Sequence, residues 1–209
     1  MQPLIVLTMI LAVNHPTDDW LLLAPGMEYR IIMAKQKSIE GDSRITVVRL
    51  DPHQWDLVFT GRSLTGDRFG KTAREWSESH NLTAVTNAGM FDIDNSTHTG
   101  YLRYREHVNS RRLNNYKSLL AFDPKEGRIL FIYSRSPFSM YQLNRELLES
   151  GIGIVAAQHL EGGPEAQLYL RTGEFEMELF GSYETSYLED DSNPDPWPVP
   201  NVIGVKPKK

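Results

Sequence analysis

The sequence predicts an α+β fold: a single domain with a mixed, largely antiparallel sheet and two main helices. Runs rich in β-branched and aromatic residues recur along the chain, whereas only two segments carry clear helix-start signals. The 209 residues, 40% of them hydrophobic, suffice for one domain with a full core. Because strands and helices do not alternate regularly, α+β is favoured over a βαβ fold, with a β-sandwich carrying incidental helices as the alternative.

The predicted strands share high β-propensity and are bounded by turn-forming residues. They comprise residues 28–34, 44–51, 55–59, 82–87, 118–123, 128–134, 154–160, 167–171 and 175–180. Residues 123–127, Asp-Pro-Lys-Glu-Gly, predict a hairpin turn between two of these strands.

The two predicted helices have marked ends. Thr72 can cap the first helix with Glu75 three residues on, and Ser139 and Gln142 repeat this pattern in the second. Gly151 is placed to close the second helix. Each helix therefore leads into a predicted strand.

The composition excludes several classes of function. The net charge is −5, from 22 Lys and Arg against 27 Asp and Glu, and no basic cluster could neutralise a run of phosphates. A nucleic-acid partner is therefore not expected. Since the chain has no cysteine, disulfides, thiolate metal sites and a cysteine nucleophile are excluded.

Residues 1–20 are predicted to be a possible signal or N-terminal extension, and residues 21–209 the folded domain. Residues 4–13, LIVLTMILAV, have the length of the apolar region of a signal peptide and are too short to span a bilayer. No Lys or Arg precedes them and no clear cleavage site follows, so an N-terminal strand is the alternative. No integral membrane span is expected.

Two familiar motifs are incomplete. Residues 151–156, GIGIVA, match the residue pattern of a dinucleotide-binding fingerprint. That fingerprint needs a strand before it and a helix after it, whereas these residues follow a predicted helix and precede a predicted strand. Residues 61–66, GRSLTG, do not form a G-x-S-x-G elbow, because Thr65 stands in place of the second glycine.

Metal and cofactor sites are not expected. A calcium loop starting at Asp92 would need Gly where Thr97 stands and Glu where Arg103 stands. His98 and His107 lack the spacing typical of zinc ligands and are more typical of solvated loop histidines.

Two predicted strands end in turns that carry carboxylates. Loops at strand ends are common positions for catalytic groups, and paired acids suit general acid and base chemistry on glycosidic or phosphodiester bonds. The alternative is that each acid only caps the backbone of a hairpin turn. The turn residues are Asn87, Gly89 and Asp92 in TAVTNAGMFD, and Glu161, Gly162 and Gly163 in AAQHLEGGPEAQLYL.

Three blocks of sequence resemble the phosphodiester glycosidase family. They are VTNAGMF (85–91), LEGGPEAQLYL (160–170) and WPVPNVIGVKP (197–207). In the same order they are similar to that family's Asn-Ala/Gly-Gly-x-Phe, Leu-Asp-Gly-Gly-Gly-Ser and Arg-x-Val-Pro-Asn-x-Ile/Leu-Gly-Val blocks. The resemblance covers roughly residues 26–207. The chain departs from the pattern at Glu161, Pro164 and Glu165, where the family has Asp, Gly and Ser.

The resemblance implies hydrolysis of a sugar-1-phosphodiester, with Asp92 and Glu161 as acid and base. Arg103 would supply positive charge for the phosphate, although it could equally be an exposed strand residue. The implied substrate-binding residues are Asn87, Gly89, His98, Arg103, Gly162, Gly163 and Asn201. A sugar-phosphate or polysaccharide substrate, no cofactor and an extracytoplasmic location, periplasmic or secreted, follow from the resemblance. The alternatives are a non-catalytic carbohydrate-binding or cell-envelope protein on the same fold, and an intracellular domain of unrelated function.

The geometry expected of such a site is specific. If the strands ending at Asn87 and Leu160 are neighbours that point the same way, their turns meet at one edge of the sheet. The acidic loop 182–200 would then form a lid or rim, with residues 189–191 toward solvent and Trp197 toward the cleft. Tyr187 is a second aromatic residue that could stack on a sugar ring.

Overall fold

The computed structural model describes residues 19–112, 127–184 and 189–209, which form one α+β domain. Within these ranges there are two main sheets, a separate hairpin and three α-helices, and all strand pairs are antiparallel. The α+β prediction is therefore confirmed. The predicted signal region at residues 4–13 and the strand at 118–123 lie outside the described residues, as does most of the turn at 123–127.

The first sheet has four strands in the order β1-β2-β3-β8. Its strands are β1 (Leu21–Ala24), β2 (Met27–Met33), β3 (Arg44–Leu50) and β8 (Ile129–Tyr133). Successive residues of β3 point to opposite faces of the sheet. Val48 packs toward the second sheet, whereas Val47 packs in a separate core on the other face. Both faces of this sheet are therefore covered.

The second sheet has five strands in the order β10-β9-β5-β11-β4. They are β4 (Trp55–Gly61), β5 (Ala84–Asn87), β9 (Gln167–Thr172), β10 (Phe175–Phe180) and β11 (Asn201–Pro207). All four residues of β5 are buried, which fits a central strand. At the C-terminal end of β5, Thr86 faces Leu168 of β9 and Asn87 faces Val202 of β11. Asn87 therefore lies between two neighbouring strands, at the end of the central strand.

The sheets and helices form four layers. Tyr29 and Val48 of the first sheet pack against Leu168 and Val205 of the second in one core. Helix α2 (Ala73–His80) covers the outer face of the second sheet through the fully buried Trp76. Helix α3 (Met140–Glu149) covers the outer face of the first sheet. Both predicted capping boxes are present, at Thr72 and Glu75 and at Ser139 and Gln142.

Smaller elements surround the second sheet. A one-turn helix α1 (Arg62–Thr65) follows β4, and the hairpin β6 (Leu102–Tyr104) and β7 (His107–Ser110) lies beside it. Neither element is predicted by the sequence. No helix within the described ranges is long and apolar enough to cross a bilayer.

The predicted strand at residues 154–160 is wrong. This segment has no regular secondary structure, and Val155 is fully exposed. The central strand β5 is already paired on both sides, by β9 and β11, so it offers this segment no free edge. This segment is not a strand of either sheet.

Candidate functional site

The two carboxylate-bearing turns meet, as the sequence predicts. Asn87 at the end of β5 is buried, and its Nδ2 donates to the backbone oxygen of Glu161 over 3.1 Å. The backbone N–H of Gln167 donates to Asn87 Oδ1 over 3.3 Å. The reason differs from the prediction: the second turn leads into β9, which is antiparallel to β5, so the start of β9 adjoins the end of β5.

Asn87 therefore joins the two turns through its side-chain amide. Both heteroatoms of its side-chain amide contact the chain segment that carries Glu161 and begins β9. These contacts hold Glu161 in place, and the role of Asn87 as a direct substrate ligand stays a prediction.

Glu161 lies partly buried in a broad cleft of about 1510 Å³ that Asn87 and Met90 also line. Burial, and then the neighbouring carboxylates of Glu165 and Glu184, together raise the pKa of its carboxyl group to about 7, against an opposing effect of the Phe91 backbone N–H. Its Oε2 is buried without a hydrogen-bond partner among the described residues. Glu161 is therefore a carboxylic acid that holds its proton close to neutral pH.

Glu165 and Glu184 make this end of the cleft acidic. Burial also raises the pKa of Glu165, with a further contribution from Glu184. The segment carrying Glu184 packs tightly on the turn, since a Cβ added to Gly181 would lie 2.0 Å from the Gly163 carbonyl oxygen. Glu184 could not be identified from the sequence, because only the tertiary fold brings this residue beside the turn.

Asp92 lies on the rim and has the opposite electrostatic character. Its carboxylate accepts the backbone N–H of Ile93 over 2.7 Å and pairs with the Arg112 guanidinium. The Ile93 hydrogen bond and then Arg112 hold the pKa of Asp92 below its usual value. Asp92 does not line the cleft, but it follows Phe91, whose backbone N–H faces Glu161.

The rim loop, residues 92–98, is fixed by two amides. Asn201 Nδ2 and Asn109 Nδ2 both donate to the Ser96 carbonyl oxygen, over 2.9 and 3.0 Å. Asn201 is buried in β11 and is not among the residues that line the cleft, so the contact that the structure shows for its amide is with the rim loop. His98 closes the loop, with its Nδ1 accepting the Gly100 N–H over 3.0 Å.

The predicted glycines have different surroundings. Gly89 has φ +93°, and a Cβ there would lie 2.9 Å from His98 Nε2, so the imidazole of His98 packs directly on this turn. Gly163 also has a positive φ, of +64°. Gly162 is exposed and has open space around it, which leaves its backbone accessible.

The structure does not bring Arg103 to this site. The Arg103 side chain is about half exposed on β6, where its Nε donates to the Arg105 carbonyl oxygen over 2.7 Å and Nη2 lies 3.6 Å from Glu106. Arg112 is instead the guanidinium beside Asp92. Nothing in the sequence distinguishes Arg112 from Arg103, because 20 residues separate Arg112 from Asp92 and no motif links them.

The acidic loop 182–200 only partly follows the prediction. Glu189, Asp190 and Asp191 are exposed, as expected, and Asp191 pairs with Arg135. Trp197 does not line the cleft, contrary to the prediction, and its carbonyl oxygen accepts a hydrogen bond from the Gln167 side chain. Tyr187 lies outside the described residues.

In the part of the chain that the structure describes, no group of three or more His, Asp or Glu side chains is arranged to hold a metal ion. The site consists of a glutamate of raised pKa in an acidic cleft and an ionised Asp–Arg pair on its rim. Comparison of the chain with protein-family models, with curated proteins and with solved structures finds no significant match.

Proposed function

We propose that this protein hydrolyses a sugar-1-phosphodiester, releasing the sugar and leaving a phosphomonoester on the acceptor. The observation that carries the proposal is the Asn87–Glu161 hydrogen bond, which places a carboxyl group with a pKa of about 7 against the turn that leads to Asp92. The reaction itself comes from the similarity of the same two turns to blocks of the phosphodiester glycosidase family.

The opposite pKa shifts of the two acids suggest separate roles. Glu161 retains a proton near neutral pH and can donate it to the bridging oxygen as the glycosidic bond breaks. Asp92 is ionised and can accept a proton from the attacking water. A pair of carboxyl groups with pKa values displaced in opposite directions is what acid and base catalysis at one pH requires.

The charge distribution suggests how the substrate lies. Glu165 and Glu184 would repel a phosphate placed next to them, so the phosphate belongs at the rim, where Arg112 offers a guanidinium. The sugar then faces the carboxyl groups of the cleft, which can accept hydrogen bonds from its hydroxyl groups. This assigns to Arg112 the phosphate contact that the sequence suggested for Arg103.

The alternative function is a non-catalytic carbohydrate-binding or cell-envelope protein on the same fold. One observation favours it: the Asp92 carboxylate is already occupied by Arg112 and by the Ile93 backbone. For either function, an envelope or exported polysaccharide as ligand would place the protein outside the cytoplasm.

The test is turnover of UDP-N-acetylglucosamine and of a sugar-phosphate diester, measured as free sugar released. Glu161→Gln and Asp92→Asn should each lower kcat by roughly 10²- to 10⁴-fold, the usual contribution of a general acid or base. Glu78→Gln, at an exposed position on α2, is the matched control and should retain activity. Full activity in either site variant would refute the assigned roles, and sugar binding without turnover by the wild type would support the alternative.

A further inference from the structure

A second set of polar side chains, around Ser63, contacts the rim loop through Asn109. Ser63 Oγ is 3.0 Å from His107 Nε2, and Asn109 Nδ2 donates to the same Oγ over 2.7 Å. We propose that Ser63 is the nucleophile of a separate acyl-transfer centre with His107 as its general base, acting on small carboxylic esters. The proposal does not depend on the function assigned to the cleft.

The orientation of the Asn109 amide is determined by its other contacts. Its Oδ1 accepts the backbone N–H of His98 over 2.7 Å, and its Nδ2 donates to the Ser96 carbonyl oxygen over 3.0 Å. The nitrogen must therefore face Ser63. Because that nitrogen can only donate, it occupies a lone pair of Ser63 Oγ, and the hydroxyl hydrogen can be donated to His107 in the tautomer whose Nε2 carries no hydrogen.

The His107 ring is held in position by an aromatic contact. It stacks on Phe59 with 6.2 Å between the ring centroids and 19° between their planes. Phe59 belongs to β4, the strand that leads directly to Ser63, so nucleophile and base are fixed by the same strand. A hydroxyl within hydrogen-bond distance of an oriented imidazole is the arrangement that activates a serine.

Ser63 is also placed as an accessible nucleophile. It is exposed in the one-turn helix α1, two residues after the last residue of β4. Ser63 thus lies on a strand-to-helix turn, as the nucleophile of a G-x-S-x-G motif does, although Thr65 replaces the second glycine of that motif here. Gly66, with φ +79°, ends the helix one residue after the position of the second glycine in that pattern.

A second serine–histidine contact shows why hydrogen direction matters. Ser79 Oγ also lies 3.0 Å from a histidine nitrogen, Nδ1 of His80. However, Ser79 donates its hydrogen to the Glu75 carbonyl oxygen over 2.6 Å, as helical serines commonly do. His80 therefore cannot withdraw that hydrogen, and Ser79 serves as an internal control with the same distance and a different hydrogen-bond direction.

The reaction balances without any added group. Ser63 Oγ bonds to the ester carbonyl carbon while its proton passes to His107 Nε2, and the alkoxide then leaves with that proton as an alcohol. Water attacks the acyl-serine with His107 again accepting a proton, which returns to Ser63 as the carboxylic acid departs. Asn109 orients Ser63 Oγ by its hydrogen bond, while the negative charge of the tetrahedral intermediate develops on the former carbonyl oxygen of the ester.

The test uses the full chain, a fluorophosphonate that phosphonylates activated serines with loss of fluoride, and p-nitrophenyl acetate. We expect labelling at Ser63 alone by peptide mass spectrometry, its loss in Ser63→Ala, and a fall of about 100-fold in labelling rate in His107→Gln. Ser79→Ala should label at the wild-type rate. Absence of labelling in the wild type, labelling of Ser79, labelling that persists in Ser63→Ala, or an unchanged rate in His107→Gln would each overturn the proposal.

Discussion

Replacing Glu161 by Gln should stabilise the fold at alkaline pH while removing the proposed acid. The wild-type carboxyl group has a pKa of about 7 in the folded protein, raised from 4.5 by burial and by the neighbouring carboxylates. Between these two values the unfolded chain has released the proton and the folded chain still holds it. The free energy of unfolding of the wild type therefore falls as pH rises through this window.

The size of the effect follows from the shift. A tenfold change in proton affinity is worth about 1.4 kcal/mol, so the rise of the pKa from 4.5 to about 7 sets an upper limit of roughly 3.5 kcal/mol. Glu161 is only partly buried, and solvent screening reduces this to about 1–2 kcal/mol. Since Gln has no proton to release, the variant should gain this amount relative to the wild type between pH 4 and pH 8.

The assay is urea denaturation of the wild type and of Glu161→Gln at pH 4 and pH 8. Subtracting one free energy of unfolding from the other cancels the contribution of the titratable groups that both proteins share. Glu78→Gln provides the control, because its exposed side chain on α2 should give a similar small difference at both values. A stability difference between Glu161→Gln and wild type that is the same at both pH values would refute the reasoning. So would a variant that is less stable than wild type at pH 8.

Two further changes test the geometry of the turns. Asn87→Ala removes the hydrogen bond to the Glu161 backbone and should cost about 1–3 kcal/mol in denaturant unfolding, because it leaves buried polar groups unpaired; an unchanged midpoint would contradict this. Gly89→Ala should cost about 1–3 kcal/mol from its positive φ, plus the contact of the new Cβ with His98 at 2.9 Å. Gly66 also has a positive φ, but a Cβ added there would have no atom within 4 Å, so Gly66→Ala is the control. An equal loss of stability in both variants would show that the contact with His98 contributes nothing.

Local patterns in the sequence were sufficient for much of the fold. The capping boxes at Thr72 and Ser139 are encoded within four residues, so the beginnings of both helices could be predicted. The α+β class followed from the ratio of strands to helices. The segment 154–160 shows the limit, since its strand-like composition could not reveal that β5 was already paired on both sides.

The two acids of the candidate site, Asp92 and Glu161, could be named from the sequence because each follows a strand-like segment in a polar turn. That the turns meet was decided by the fold, since Asn87 and Glu161 are 74 residues apart and touch only because β9 is antiparallel to β5. The same holds for the approach of Arg112 to Asp92. Residue type and local spacing determine what chemistry a side chain can perform, whereas its pKa and its partners depend on burial and on contacts between segments distant in sequence, which only the tertiary structure sets.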